Sequence, residues 1–276
     1  MPISSHIDPV VARGLLEFCI ETGAAEPIGE TTVDRFRLHM EQSASASTNS
    51  DARPAAESLL QSGQGQVGRA DHSTESDPVQ YAEQAAASSQ NLDELHEAIA
   101  GYPFCGLREY ARNLVFSDGQ RGSQVMIVGE APGGDEDKQG KPFVGASGRL
   151  LDRMFLAIDL KRDSEDLAHS LYITNVIPWR PPGNRNPTTQ EVRMMTPFAM
   201  RHVELARPKL LVAIGNFSCM VFLGQTGVTR LRGKWLEWRG IPVMPTFHPA
   251  YLLRSPTKKS DSWKDMIMIR RRLNSL

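Results

Sequence analysis

Four stretches of five or six residues, 124–128, 171–175, 209–214 and 241–246, are rich in apolar side chains, and segments of helical periodicity lie between them. A strand that is apolar on both faces must be covered on both faces, and helices placed between such strands serve as crossovers of a parallel sheet. The chain therefore predicts an α/β fold with a four-stranded parallel sheet. Helices are expected at 148–158, 189–205, 218–223 and 263–273. The spacing of these elements is too irregular for a repeat protein. Three of the four strands run into polar loops shaped by Gly and Pro, at residues 128–146, 175–188 and 245–255. Open α/β sheets bind ligands at the carboxyl ends of their strands, where such loops converge.

Charge is unevenly spread. The 276 residues carry a net charge of −1, yet residues 1–100 hold 5 basic against 16 acidic side chains, a net of −11. Residues 101–276 hold the other 26 basic and 16 acidic, a net of +10. A basic half of this length fits a polyanionic partner, because neutralising phosphates releases counterions. The Asp8-Pro9 pair and the apolar residues after it predict a helix over 8–22. Residues 1–40 thus read as a helical N-terminal segment. From 41 to 91 the composition turns to Ser, Ala, Gln, Gly and acids, which bury too little apolar surface to offset ordering entropy. That stretch reads as a disordered acidic linker, with order resuming in a helix near 92–100 and one folded domain over 92–276. Cys19, Cys105 and Cys219 include no CxxC pair, which suits a reducing compartment. No apolar run reaches bilayer-spanning length, and the first residues do not read as a leader. A soluble, cytoplasmic monomer without a membrane partner is expected; the partner of the acidic arm is unassigned.

The loops carry the chemistry. The first contains Gly129-Glu130-Ala131-Pro132-Gly133, whose glycines let backbone approach a ligand. Glu130, Asp135, Glu136 and Asp137 crowd into it, and two of them at most are assigned a role. It is not a nucleotide-binding P-loop, since Pro142 follows Lys141 where Ser or Thr would hold Mg²⁺. Phe143 reads either as a core plug or as a platform on which a flat base stacks, worth about 1–3 kcal/mol. Asn175, at the end of the second strand, can read donor and acceptor on a base edge or cap the next turn. Arg180 and Arg185 sit in a Gly/Pro frame that suits phosphate. His248 ends the fourth strand. Tyr251, Leu252, Leu253 and Arg254 follow, an apolar wedge beside a cation, as base extrusion from a duplex requires.

GEAPG with a downstream PFVG, the NVIPWRPPGNR loop and HPAYLLR together resemble the family-4 uracil-DNA glycosylases, over residues 105–273. The resemblance implies a three-layer α/β/α sandwich around a four-stranded parallel sheet. It implies excision of uracil from DNA in base-excision repair by hydrolysis of the N-glycosidic bond. Gly129, Glu130 and Ala131 would line the bond, with Glu130 positioning water; some relatives have Asp where this chain has Ala131. Glu136 would screen out bulkier pyrimidines and Phe143 would stack on the flipped base. Asn175 would read its edge, and His248 would stabilise the charge developing on it. Leu252 or Leu253 would wedge the duplex, with Arg180, Arg185 and Arg254 on the DNA.

The same family usually holds an iron–sulfur cluster on four cysteines. Its ligand positions fall here on Tyr102, Cys105, Trp179 and Met195. One thiol cannot hold such a cluster, so no metal or other cofactor is expected, with packing taking the cluster's place. Two other readings remain: a non-catalytic nucleic-acid-binding relative, and a glycosylase of shifted base preference.

Overall fold

The protein is represented by a computed structural model that describes residues 77–276. The expected helix at 8–22 and residues 41–76 of the expected linker lie outside the described residues. In chain order the elements begin with α1 (Pro78–Ser88), α2 (Leu92–Ala100), α3 (Leu107–Tyr110), β1 (Asp118–Gly119) and β2 (Val125–Gly129). They continue through α4 (Gly134–Gln139), α5 (Ala146–Leu156), β3 (Leu171–Asn175), α6 (Thr189–Ala206), β4 (Leu210–Ile214) and α7 (Gly215–Leu223). The last are α8 (Val228–Leu231), β5 (Leu236–Trp238), β6 (Ile241–Thr246), α9 (Pro249–Arg254) and α10 (Lys259–Leu273).

The sheet has six strands in the order β1-β3-β2-β4-β6-β5, not four. The four expected strands form its parallel centre, and β1 and β5 add antiparallel edges. Edges of two and three residues carry no readable alternation, which is why the sequence pattern missed them. Pro245 sits inside β6 without harm: it pairs with β4 through Ala213, while β5 pairs only with Ile241, Pro242 and Val243 on the other side. A residue without an amide hydrogen is tolerated where no neighbour asks for one.

Side chains alternate across the central strands. Met126, Val128, Tyr172, Leu211 and Val243 face a cluster built with Leu95, Ile99, Met195, Phe198 and Phe222 of the helices on one side. Ile127, Ile173, Val212 and Met244 face Leu151, Phe155, Met266 and Ile269 on the other. Helices therefore cover both faces of the sheet, as strands apolar on both sides demand. α6 starts where Thr188 accepts the Glu191 amide at 3.2 Å and Glu191 reaches back to the Thr188 amide at 2.7 Å, a reciprocal cap.

Folded structure begins earlier than residue 92. α1 lies within the expected linker, opened by Asp77, whose side chain accepts the Val79 amide at 3.0 Å. Its buried positions are Ala82 and Ala86, so it packs through small residues that a search for large apolar groups passes over.

Candidate active site

The carboxyl ends of β2, β3 and β6 open into one cavity of about 430 Å³. Glu130, Ala131, Glu136, Phe143, Asn175 and His248 all line it, with Arg185 and Arg254 at its boundary. Residues separated by more than a hundred positions thus meet at the sheet end anticipated from the loop pattern.

Register sets the centre of the cavity. Gly129 is paired with Asn175 across β2 and β3. A Cβ at Gly129 would lie 2.3 Å from Asn175 Oδ1 and 2.5 Å from Phe143 Cζ. Only glycine lets these two side chains close over the strand end. Asn175 is buried, and its Oδ1 has no hydrogen-bond partner among the described residues. A buried acceptor left unpaired costs about 1–3 kcal/mol, so an unpartnered oxygen on a residue that lines the cavity invites a ligand donor. Phe143 is buried too, holds a left-handed φ of 53°, and lies 5.5 Å from the His248 ring, centroid to centroid. It is both plug and cavity wall.

Arg162 holds that unusual conformation. It donates to the carbonyls of Pro142 at 3.0 Å and Phe143 at 2.8 Å, and pairs with Asp118 and Asp152. No sequence signal singled it out, because its partners come from three separate segments.

His248 caps α9. Its Nδ1 accepts the Ala250 amide at 3.2 Å, which assigns the proton of the neutral ring to Nε2. Burial lowers its pKa to about 4, aided by the Arg254 cation and opposed by Glu136. The ring is therefore a neutral donor at physiological pH.

The four carboxylates divide by environment. Glu130 lines the cavity and burial raises its pKa; its carbonyl accepts the Ile177 amide at 3.0 Å, tying the loop to the chain beyond β3. Glu136 is buried, and its carboxylate accepts amides of Gly133, Val144 and Gly145 at 3.2, 3.0 and 2.9 Å. Asp137 braces residues 112–113 by accepting the Arg112 amide at 2.7 Å. Asp135 is exposed and faces Lys138 at 3.8 Å.

The expected DNA-contacting residues separate as well. Leu252 is fully buried in the core and cannot serve as a wedge, which corrects that expectation: α9 turns it inward. Leu253 is partly exposed on the same helix. Arg180 does not line the cavity; it donates to Asn184 Oδ1 at 2.7 Å and faces Asp137 at 3.9 Å. Arg185 makes a two-pronged pair with Glu191 at 2.9 and 2.6 Å. Arg254 is exposed at the mouth. The cavity also takes in Ser147, Asn184, Asn186 and Tyr251. None of these four stands out in the sequence as a pocket residue, although each lies within or beside one of the three loops at 128–146, 175–188 and 245–255.

The four cluster-ligand positions do not fit a metal centre. Tyr102, Cys105, Trp179 and Met195 are all buried in one apolar cluster. The Tyr102 hydroxyl donates to the Pro78 carbonyl at 2.8 Å, and its ring meets Phe198 edge-on at 5.3 Å. Burial raises the Cys105 thiol pKa, opposite to what a thiolate ligand needs. Among the described residues, no group of three or more His, Cys, Asp or Glu is placed to hold a metal ion.

Residues 116–269, more than half of the chain, match the family described as the Uracil DNA glycosylase superfamily. The chain is 35% identical over 190 residues to the type-4 uracil-DNA glycosylase of Sulfurisphaera tokodaii, covering 65% of this chain and 84% of that protein. It is 35% identical over 187 residues to the type-4 enzyme of Pyrobaculum aerophilum, covering 64% and 92%. With the type-4 enzyme of Thermotoga maritima it shares 36% over 167 residues, 59% and 84% of the two chains.

Proposed function

Because the chain belongs to the uracil-DNA glycosylase superfamily, on its type-4 branch, we propose a specific division of labour in its pocket for uracil excision. The protein is a DNA glycosylase that removes uracil during repair. The observation that carries the assignment of roles is the unpartnered Asn175 Oδ1. Uracil presents N3–H as donor beside O4 as acceptor, and the Asn175 amide matches both. Cytosine carries no hydrogen on N3, so it would leave the buried oxygen unpaired, at about 1–3 kcal/mol. Phe143 stacks on the extruded base, and Glu136, fixed by three amides, shapes the loop that excludes bulkier pyrimidines.

As the C1′–N1 bond breaks, its electron pair stays with uracil and positive charge develops on the sugar. The neutral His248 donates from Nε2 to the uracil oxygen that gains charge, a preorganised interaction of the kind that dominates such catalysis. Glu130 positions the water that adds to C1′, and its carboxylate stabilises the sugar cation; with Ala131 beside it, no second carboxylate shares that task. Leu253 fills the gap left in the duplex while Arg185 and Arg254 hold phosphate. No step runs through a metal or cluster, since the residues at the ligand positions supply packing. The buried free thiols Cys105 and Cys219 suit a reducing, cytoplasmic setting.

Oligonucleotides bearing U opposite G, U opposite A, hypoxanthine or T test the reading through alkali-labile abasic sites. The protein should open the uracil strands. Asn175→Ala should lose at least about a hundredfold in rate, as removal of one oriented transition-state donor does. A near-normal rate in that variant would remove Asn175 from the mechanism, and preferential release of hypoxanthine would establish a shifted base preference.

A further inference from the structure

Away from the pocket, α5 and α10 leave a groove between them. A cavity of about 270 Å³ is floored by Leu150, Met154, Ala157, Leu252 and Met266, with Trp263 as a wall. A second hollow shares Ala157 and Trp263 and continues along α10 to Ile267 and Arg271. Trp263 is 45% exposed and Leu156, beside it, 51%. Exposed aromatic surface of this kind, rimmed by polar groups, marks a contact site. The floor also holds the Ser262 hydroxyl, which is 1% exposed and has no hydrogen-bond partner among the described residues.

The rim supplies the charge. Lys259 stands at one end and Arg271 at the other, and neither forms an ion pair among the described residues. Arg270 faces Asp159 at 3.6 Å, and that carboxylate is shared with His169. Arg153 of α5 also lines the first cavity and Asp159 the second, so the groove has an apolar floor, cations at both ends and on one wall, and a carboxylate near the Arg271 end. Lys259 and Arg271 are twelve positions apart on α10, which at about 1.5 Å per residue is roughly 18 Å, or three turns of helix.

We propose that this groove docks an amphipathic helix of a partner protein, about three turns long, with an apolar stripe flanked by carboxylates at both ends. The apolar stripe lies along the floor in the manner of helix-in-groove recognition. The end carboxylates meet Lys259 and Arg271. Leu252, buried beneath the floor, links it to α9, the helix capped by His248.

The probe is a synthetic capped peptide of about fourteen residues, with Leu at i, i+3, i+4 and i+7 spacing and Glu toward both ends. A second peptide replaces every Glu with Lys. Anisotropy titrations use the full-length protein. The Glu peptide should bind at least about tenfold more tightly than the Lys peptide, and Trp263→Ala should weaken it about tenfold. Lys259→Glu combined with Arg271→Glu should reverse the preference between the peptides. Uracil excision and thermal midpoint should stay at wild-type values in these variants, since all three side chains are surface groups outside the pocket. Equal affinity for both peptides, or unchanged binding by Trp263→Ala, would overturn the proposal. So would a Trp263-dependent dimer in sedimentation without peptide, which would make a second copy the occupant.

Discussion

At the scale of single residues, the pocket depends on groups whose state is set by burial. His248 is neutral because its pKa falls to about 4 in the folded protein, below the ordinary value near 6.5. As pH drops between those values the unfolded chain takes up the proton first, so this group costs stability progressively from about 6.5 down through 4. The rate of excision by bound enzyme should stay flat across neutrality and fall in acid, first as Glu130, its pKa raised by burial, takes up a proton and then as His248 does near about 4, and His248→Ala should lower it about a hundredfold. A limb near pH 6.5 assigned to His248 would show that the ring works as a cation. Leu252 and Leu253 make a paired test. Leu252→Ala empties core volume and should cost about 2–5 kcal/mol of stability. Leu253→Ala should leave the thermal midpoint in place and slow excision from duplex more than from single strands; a duplex rate equal to wild type would remove it as the wedge. Asn175 and His248 were legible because polar residues at strand ends stand out, and Phe143 because it is an aromatic in an otherwise polar loop. The inward turn of Leu252 was not, since a six-residue helix is too short for its periodicity to show.

Elements were read best where they are long. The strands at 171–175 and 241–246 and the start of the helix at Thr189 agree with observation, and the other central boundaries shift by a few residues. α1 escaped because its packing rests on Ala82 and Ala86 in place of large side chains. It is nonetheless part of the body: its first carbonyl takes the Tyr102 hydroxyl, and Tyr81 meets Phe104 at 5.4 Å. A chain beginning at residue 77 should keep the thermal midpoint of the full protein. One beginning at residue 91 should melt several degrees lower, as loss of about 1 kcal/mol does in a domain of this size. Equal midpoints would show that α1 contributes nothing to stability.

For the molecule as a whole, alternation of apolar strands and helices was enough to specify a parallel sheet covered on both faces. The edge strands were invisible because two or three residues carry no readable alternation, and the Arg162 clamp because its partners lie in three separate segments. The aromatic packing around Tyr102 and Phe198 leads to a chemical test. Protein purified without oxygen should be colourless, carry no stoichiometric iron or sulfide, and keep its activity after chelation. About four irons per chain would refute operation without a cluster. The pairing of Gly129 with Asn175 has a wider consequence. Adjacent strands are separated by about 4.8 Å of hydrogen-bonded backbone, so the gauge between the bond-breaking loop and the base reader is built into the sheet. Natural variation in the surrounding loops can retune affinity or turnover, but it cannot slide one jaw of this calliper past the other. A lineage acquiring a new base preference would have to do so by exchanging side chains at a preserved spacing.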